Sequence, residues 1–217
     1  MLQADTAAIK SVPFSLACSV ATRVLTAPAL VGKVFLEGGL VPWIVSGRNS
    51  GRLHGDVDIS LRIVDMPDVR TWLVAEGLYD RALDSLNLPC NEEHGDFGVH
   101  SVIDGVLVSF CPFFFESDEL HQRNAALEIT DGFDALLEAV IPCSMEDDRT
   151  ELRRLPTGVT VGCATLEAVR TSKIMSDREK DAYDIAEIDR IGYDLERYAR
   201  IAKEYATMRI VCVAHSE

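Results

Sequence analysis

Residues 34–63 read VFLEGGLVPWIVSGRNSGRLHGDVDISLRI, and the order of small, apolar and acidic residues in this stretch decides how the chain is built. The apolar segment Val31–Leu36 opens a short helix or strand edge and is interrupted by Gly38-Gly39. Leu40–Ser46 is apolar again, and Pro42 near its start suits a first helical turn, where a missing N–H costs nothing. Gly47-Arg48-Asn49-Ser50-Gly51 is a glycine-bounded turn. Gly55–Ile63 then alternates polar and apolar residues, the period-2 pattern of a half-buried strand.

On that strand Asp56 and Asp58 project from one face, while Val57 and Ile59 point the other way into the core. Two strand steps separate the two Cα atoms by roughly 6.5–7 Å, so both carboxylates can converge on one ion. Like charges this close raise each other's pKa unless a cation sits between them. Hard oxygen donors suit Mg²⁺, which takes one or two carboxylates plus substrate phosphates. Upstream, Gly38-Gly39 lets the backbone approach a phosphate because no Cβ intervenes, and a helix beginning there adds free N–H groups. Asp-x-Asp is also a common surface pattern, and an exposed edge strand with two solvated acids is the plain alternative.

The stretch resembles the signature of the nucleotidyltransferase (DNA polymerase β-like) superfamily: an apolar element, Gly-Gly, a helix, then Asp-x-Asp on the next strand. Its Arg52-x-His54-x-Asp56-x-Asp58 phrase is similar to the small-molecule (aminoglycoside-type) and AbiEii toxin-type branches. A second match lies downstream, where Thr165-Leu166-Glu167 begins a run to Lys173 and Lys180-Asp181-x-x-Asp184 follows. The resemblance implies an α+β fold, a nucleotidyltransferase-type mixed sheet flanked by helices. Its core would span 1–162, with a helical C-terminal part over 163–217 packed on it. The resemblance also implies Mg²⁺ held by Asp56 and Asp58, which are the catalytic carboxylates. An NTP, ATP in the first place, would be cradled by Gly38 and Gly39 and met at its phosphates by Lys173. Arg48 and Arg52 could reach phosphates or simply neutralise the acidic cluster. Lys180 and Asp184, four apart, also read as an ordinary surface pair worth tenths of a kcal/mol.

The implied activity is transfer of a nucleoside monophosphate from an NTP to an acceptor, with a small molecule as the first choice. A toxin-type enzyme acting on RNA or protein and a non-catalytic nucleotide-binding module are the alternatives. The last is favoured by a departure from the pattern. Active members place a third carboxylate on a later strand, and the corresponding phrase here, DGVLVSFCPF, has Ser109 in that slot. A serine neither holds Mg²⁺ as a carboxylate does nor acts as a base at neutral pH. Glu116 and Asp104 are candidates for an acid supplied from elsewhere. His54 reads as a residue that orients the loop or a neighbouring carboxylate rather than one that reacts. His94 and His100 lie near Glu92, Glu93 and Asp96 without a metal-ligand spacing, as a solvated acidic loop would.

Around this centre, residues 14–27 carry apolar side chains at helical spacing. Met66–Gly77 predicts a helix burying Val69, Trp72, Leu73 and Ala75. Asp104-Gly105 joins two strand-like runs, Gly98–Ile103 and Val106–Phe110, as a hairpin. Leu127–Thr130 is strand-like, Asp131-Gly132 a turn, and Phe133–Val140 a short segment open to helix. Leu155–Val161 reads as turn and strand. Helical periodicity then runs from Thr165, through Asp181–Ile191, to Asp194–Ala206.

The chain has 217 residues, 47% of them hydrophobic, with a formal charge of −14. It can bury a core without disulfides or a structural metal. The charge disfavours a polynucleotide partner on average. Six cysteines show no CxxC pair or zinc spacing, and Cys18, Cys111 and Cys163 sit in apolar surroundings as buried thiols do. Residues 1–10 lack the basic and apolar regions of a signal peptide, and no uncharged apolar run has the ~18 residues of a membrane span. The expected location is cytoplasmic, with no membrane partner.

Overall fold

The computed structural model describes residues 11–128, 133–176 and 178–215. In chain order the strands are β1 (Val12–Pro13), β2 (Val34–Leu36), β3 (Leu53–His54), β4 (Asp56–Arg62), β5 (Val99–Ile103), β6 (Val106–Glu116), β7 (Glu119–Glu128), β8 (Phe133–Pro142), β9 (Thr150–Arg154), β10 (Thr160–Ala164) and β11 (Arg209–His215). The α-helices are α1 (Phe14–Leu25), α2 (Val41–Ser46), α3 (Met66–Ala75), α4 (Leu166–Ser176), α5 (Asp181–Ile191) and α6 (Leu195–Tyr205). Nine strands form one mixed sheet in the order β11-β8-β7-β6-β4-β2-β10-β9, with β5 paired to β6. β4 runs parallel to β6 and antiparallel to β2.

The alternation read from the sequence sets the two faces of β4. Val57, Ile59 and Leu61 are fully buried against α1, whose Ala17, Val20, Ala21 and Val24 form the facing stripe. Asp56, Asp58 and Ser60 therefore point to the opposite face. A second apolar cluster covers that face, built from Phe113, Leu120 and Ile141 of the sheet with Ala168 of α4 and Ile201 and Tyr205 of α6. The C-terminal helices thus roof the face that carries the acids.

Several expectations change in the folded chain. Phe133–Val140 is strand, not helix: β8 pairs with β7 on one side and β11 on the other. Two flanking ladders override the helix preference of its Ala, Leu and Glu residues. The Asp131-Gly132 turn lies outside the described residues. Ala75 is exposed, because the buried stripe of α3 runs through Met66, Val69, Trp72 and Leu73. β9 and β11 were not anticipated, and β11 adds a strand to a C-terminal part expected to be helical. Cys163 is buried and Cys18 and Cys111 are half-buried. Burial pushes the Cys18 and Cys163 thiols up to about 12, which keeps them protonated. Among the described residues no helix is long and apolar enough to cross a membrane.

Candidate nucleotide and cation site

Gly38 follows β2 with φ +71, a backbone conformation that L side chains rarely adopt. A Cβ at Gly38 would lie 2.2 Å from Asp58 Oδ2, and one at Gly39 would lie 2.7 Å from Arg52 Nη2 and 2.9 Å from Asp184 Oδ2. The glycine pair is therefore required by close approach of the site's own side chains as well as by backbone shape. Gly38→Ala is expected to cost about 1–2 kcal/mol in backbone strain and to displace Asp58. Gly32→Ala is the control: Gly32 has φ +80 but open space around it, so it carries the backbone cost alone. Comparing the melting temperatures of the two variants isolates the crowding at Asp58.

The pair of acids sits where β4 places it, with Asp56 exposed and Asp58 half-buried. Burial, with Asp56 and Glu37 close by, pushes Asp58 well above the ordinary carboxylate range, and Lys173 and Lys180 only partly oppose this. Such a group is an electrostatic deficit that a divalent cation would remove. Among the described residues no three His, Cys, Asp or Glu side chains are already gathered closely enough to hold a metal ion. The donor set nevertheless fits Mg²⁺ in kind: hard carboxylate oxygens, left under-compensated, in a cradle that a Cβ would fill.

Cations come from the downstream segment. Lys173 on α4 is 7% exposed, with Nζ 2.9 Å from Asp181 Oδ1 and 3.7 Å from Asp184 Oδ2. Asp184 is fully buried and accepts from Trp43 Nε1 at 2.8 Å and from Arg52 Nη2 at 2.9 Å. This tie locks α2, α5 and the turn before β4 together. Asp184 is thus no surface partner of Lys180, since its carboxylate is spent on Arg52 and Trp43. Arg48 lies further out, where Nη1 donates to Glu187 at 2.8 Å, and it is absent from the walls of both cavities described below.

His54 is buried beside Phe14, with Nε2 2.8 Å from Ser50 Oγ. Burial and the Arg52 charge lower its pKa to about 4, so the ring is neutral at pH 7. Its contacts hold the loop, as the sequence suggested. His100 is buried on β5 rather than part of a solvated acidic loop. Its Nε2 lies 2.9 Å from the Ala125 carbonyl and its Nδ1 3.0 Å from Ser109 Oγ. The carbonyl only accepts, so Nε2 carries the proton, and the Ser109 hydroxyl donates a hydrogen bond to Nδ1 of the neutral ring. Ser109 is thereby committed to His100. In the same loop Asp96 is bound by Arg70, which also holds Asp84 at 2.7 Å. Asp104 pairs with Arg23 on the surface at 3.2 Å, and Glu116 is exposed at the end of β6. Neither lines either of the two cavities described below.

Two cavities meet at these residues. The smaller, about 170 Å³, is polar and is lined by Arg52, His54, Asp56, Arg178 and Lys180. The larger, about 380 Å³, runs under α4 and α6 past Cys111, Phe113, Gln122, Arg149 and Tyr205. Glu37, Asp58, Lys173 and Arg178 line both. Sequence reading missed Glu37, Arg178 and Arg149. Glu37 directly precedes the glycine pair, and that adjacency was the signal available. Arg178 lies within the run before Asp181 and was passed over, while Arg149 has no local signal.

No family model matches the sequence, and no curated protein matches it. Solved structures do. The solution structure of the antibiotic-resistance factor ANT(2'')-Ia, an aminoglycoside nucleotidyltransferase, aligns with TM-score 0.52 and 14% identity, over 88% of this chain and 92% of that one. The lincomycin-bound crystal structure of the lincosamide antibiotic adenylyltransferase LnuA aligns with TM-score 0.46 and 16% identity, over 73% and 87%. At such identities the likeness bears on the fold alone. A mixed sheet with helices on both faces, matched over nearly the whole of both chains, gives this protein the nucleotidyltransferase fold.

Proposed function

We propose that the chain is a Mg²⁺-dependent nucleotidyltransferase that moves a nucleoside monophosphate from an NTP to a small-molecule acceptor. The observation that carries this reading is the junction of the two cavities at Asp58 and Lys173. The small polar cavity suits a triphosphate. Arg52, Lys173, Arg178 and Lys180 would offset its charge, and the backbone at Gly38-Gly39 would lie against it. Asp56 and Asp58 would hold a divalent cation, which would supply further neutralisation of the triphosphate charge. The larger cavity is of small-molecule size and has an apolar floor with a few polar groups. An acceptor oxygen or nitrogen there attacks the α-phosphorus, the bond to the bridging oxygen breaks, pyrophosphate leaves, and the acceptor's proton passes to solvent. Positioning and fixed charge do most of the work in such a transfer.

The −14 charge supports a small acceptor over a polynucleotide. So does the name of the structure aligned at TM-score 0.52, an antibiotic-resistance factor. A non-catalytic nucleotide-binding module is the second reading, favoured by Ser109, whose hydroxyl is held by His100.

The test is a thermal-shift titration with ATP, GTP, CTP and UTP, with and without Mg²⁺, on wild type and the Asp56→Asn/Asp58→Asn variant. Ligand at 100 times its Kd adds about 2.7 kcal/mol, or roughly 5–10 °C for a domain of this size. The expected result is such a shift in wild type only, requiring Mg²⁺. Absence of a shift with every nucleotide would sink the reading. A shift with no pyrophosphate release across a broad acceptor panel would favour the non-catalytic module.

A further inference from the structure

The larger cavity holds a cation that no motif pointed to and that is absent from the polar cavity beside it. Arg149 stands in the turn between β8 and β9, where Thr165 N donates to its carbonyl at 3.0 Å and ties it to the start of α4. Its side chain is buried, 6% exposed. Nη2 does all of the pairing: it donates to Glu204 Oε2 on α6 and, at 3.4 Å, to the Pro142 carbonyl. The guanidinium lies over the Tyr205 ring, with Cζ 5.1 Å from the centroid. Nε and Nη1 are buried and find no hydrogen-bond partner among the described residues. Buried donors left so are uncommon, and each costs stability unless something meets it. Arg149 lines the larger cavity and not the smaller, so whatever meets these donors enters on the acceptor's side.

The charge on the walls is a second, independent observation. Among the described residues two acids line the larger cavity, Glu37 and Asp58, and both belong to the junction it shares with the polar one. Beyond the junction its charged groups are Arg149 and Arg123. Each is neutralised from behind, Arg149 by Glu204 and Arg123 by Glu138 at 2.6 Å, and neither glutamate lines the cavity. Ser144 N and Oγ both donate to Glu204 Oε1, which holds that carboxylate in place. The remaining wall is uncharged, with Phe113, Leu137 and Ile210 beside the Gln122 and Asn124 amides. An ammonium group placed here would face two guanidinium ions and no carboxylate, a like-charge contact that costs affinity. An uncharged oxygen would instead accept from donors that already lack a partner.

Resting on the nucleotidyltransferase reading above, we infer that Arg149 selects the acceptor, and that the acceptor is an uncharged, oxygen-bearing small molecule with a largely apolar body rather than a polyamine. Arg149 Nε and Nη1 donate to a hydroxyl, ether or carbonyl oxygen of that molecule. Its apolar body lies against Phe113, Leu137 and Ile210, and a hydroxyl elsewhere on it, at the junction, is the nucleophile. The Tyr205 ring and the Glu204 carboxylate hold the guanidinium before the acceptor arrives, so little ordering is left to the binding step. Arg149 takes no part in the transfer itself: it acts on acceptor affinity and not on the phosphorus.

The experiment measures pyrophosphate release with Mg²⁺ and each of ATP, GTP, CTP and UTP over two acceptor panels. One holds uncharged hydroxylated compounds with apolar bodies, such as p-nitrophenyl glycosides, hydroxylated steroids and neutral macrolactones. The other holds polyamines of similar size, such as aminocyclitol glycosides. Steady-state constants for the best acceptor are then compared in wild type and Arg149→Lys, which keeps a charge opposite Glu204 but lacks both free N–H groups. A second variant, Arg149→Met/Glu204→Gln, removes the ion pair as a unit, and melting curves confirm that each variant folds. The expected result is release with the uncharged panel, and an acceptor KM raised about 10–100-fold in both variants, with kcat and the nucleotide KM unchanged. A purely structural arginine would lower the melting temperature and leave the acceptor KM of the variants at the wild-type value, which would overturn its role. Release with polyamines at equal or higher kcat/KM would overturn the acceptor class and leave the nucleotidyltransferase reading in place. No release with either panel would remove both.

Discussion

Asp58→Asn is expected to raise the melting temperature of the ligand-free protein while lowering nucleotidyl transfer by about 10²–10³-fold, the scale of losing one preorganised electrostatic contact in a water-poor site. The stability gain follows from the upward shift of the Asp58 pKa by burial, Asp56 and Glu37. A carboxyl whose pKa is higher folded than unfolded costs nothing below its unfolded pKa, near 4. The cost accumulates as pH rises through the folded pKa and is constant above it. The difference in melting temperature between variant and wild type should therefore be near zero at pH 4, grow towards neutral pH, and level off. A gain of about 1 kcal/mol would appear as roughly 2–4 °C. Saturating Mg²⁺ and nucleotide should reverse the order, because only wild type gains from the cation. A variant less stable than wild type at pH 8 without ligand would contradict the electrostatic account of the site.

Asp184→Ala should be the most damaging single substitution in the C-terminal half. The carboxylate is fully buried and takes Trp43 Nε1, Arg52 Nη2 and the Lys173 ammonium. Its removal strands an indole donor and leaves Arg52 without an ionic partner, although Lys173 keeps Asp181 at 2.9 Å. Breaking a buried pair from one side costs about 3–5 kcal/mol, a fall of roughly 6–20 °C at the usual conversion for this size. In an Arg52→Met background the same substitution should cost less, because one of the stranded charges is already gone. A double-mutant cycle in urea measures the difference. Additive effects would show that Arg52 and Asp184 are neighbours without an energetic link.

The same residue shows why parts of the site were illegible in the sequence. Spacing alone offers Asp184 as an ordinary surface partner for Lys180, since the two are four residues apart. Its true partners, Trp43 and Arg52, are 141 and 132 positions away. Arg48 and Arg52 looked equivalent around one turn, yet Arg48 reaches out to Glu187 and Arg52 turns inward. Local spacing reports which side chains share a face; it carries no information on which distant charge meets them.

Where local chemistry dominates, the sequence sufficed. The period-2 alternation of 55–63 required that Val57 and Ile59 be buried and the aspartates face away. The Asp104-Gly105 pair determined a hairpin, with Asp104 at φ 52 and Gly105 at φ 82. The 3.6-residue period marked α5 at the bounds it has. Such features depend on backbone sterics and on the side of an element that is apolar, and both are written in consecutive residues. Only the tertiary structure decided the rest. Phe133–Pro142 is a strand because β7 and β11 flank it, β11 closes the sheet from the far end of the chain, and Glu37 comes level with Asp58 through strand register. Pairing between strands is set by which edges meet in space, and neither the identity of Glu37 nor its neighbours along the chain records that meeting.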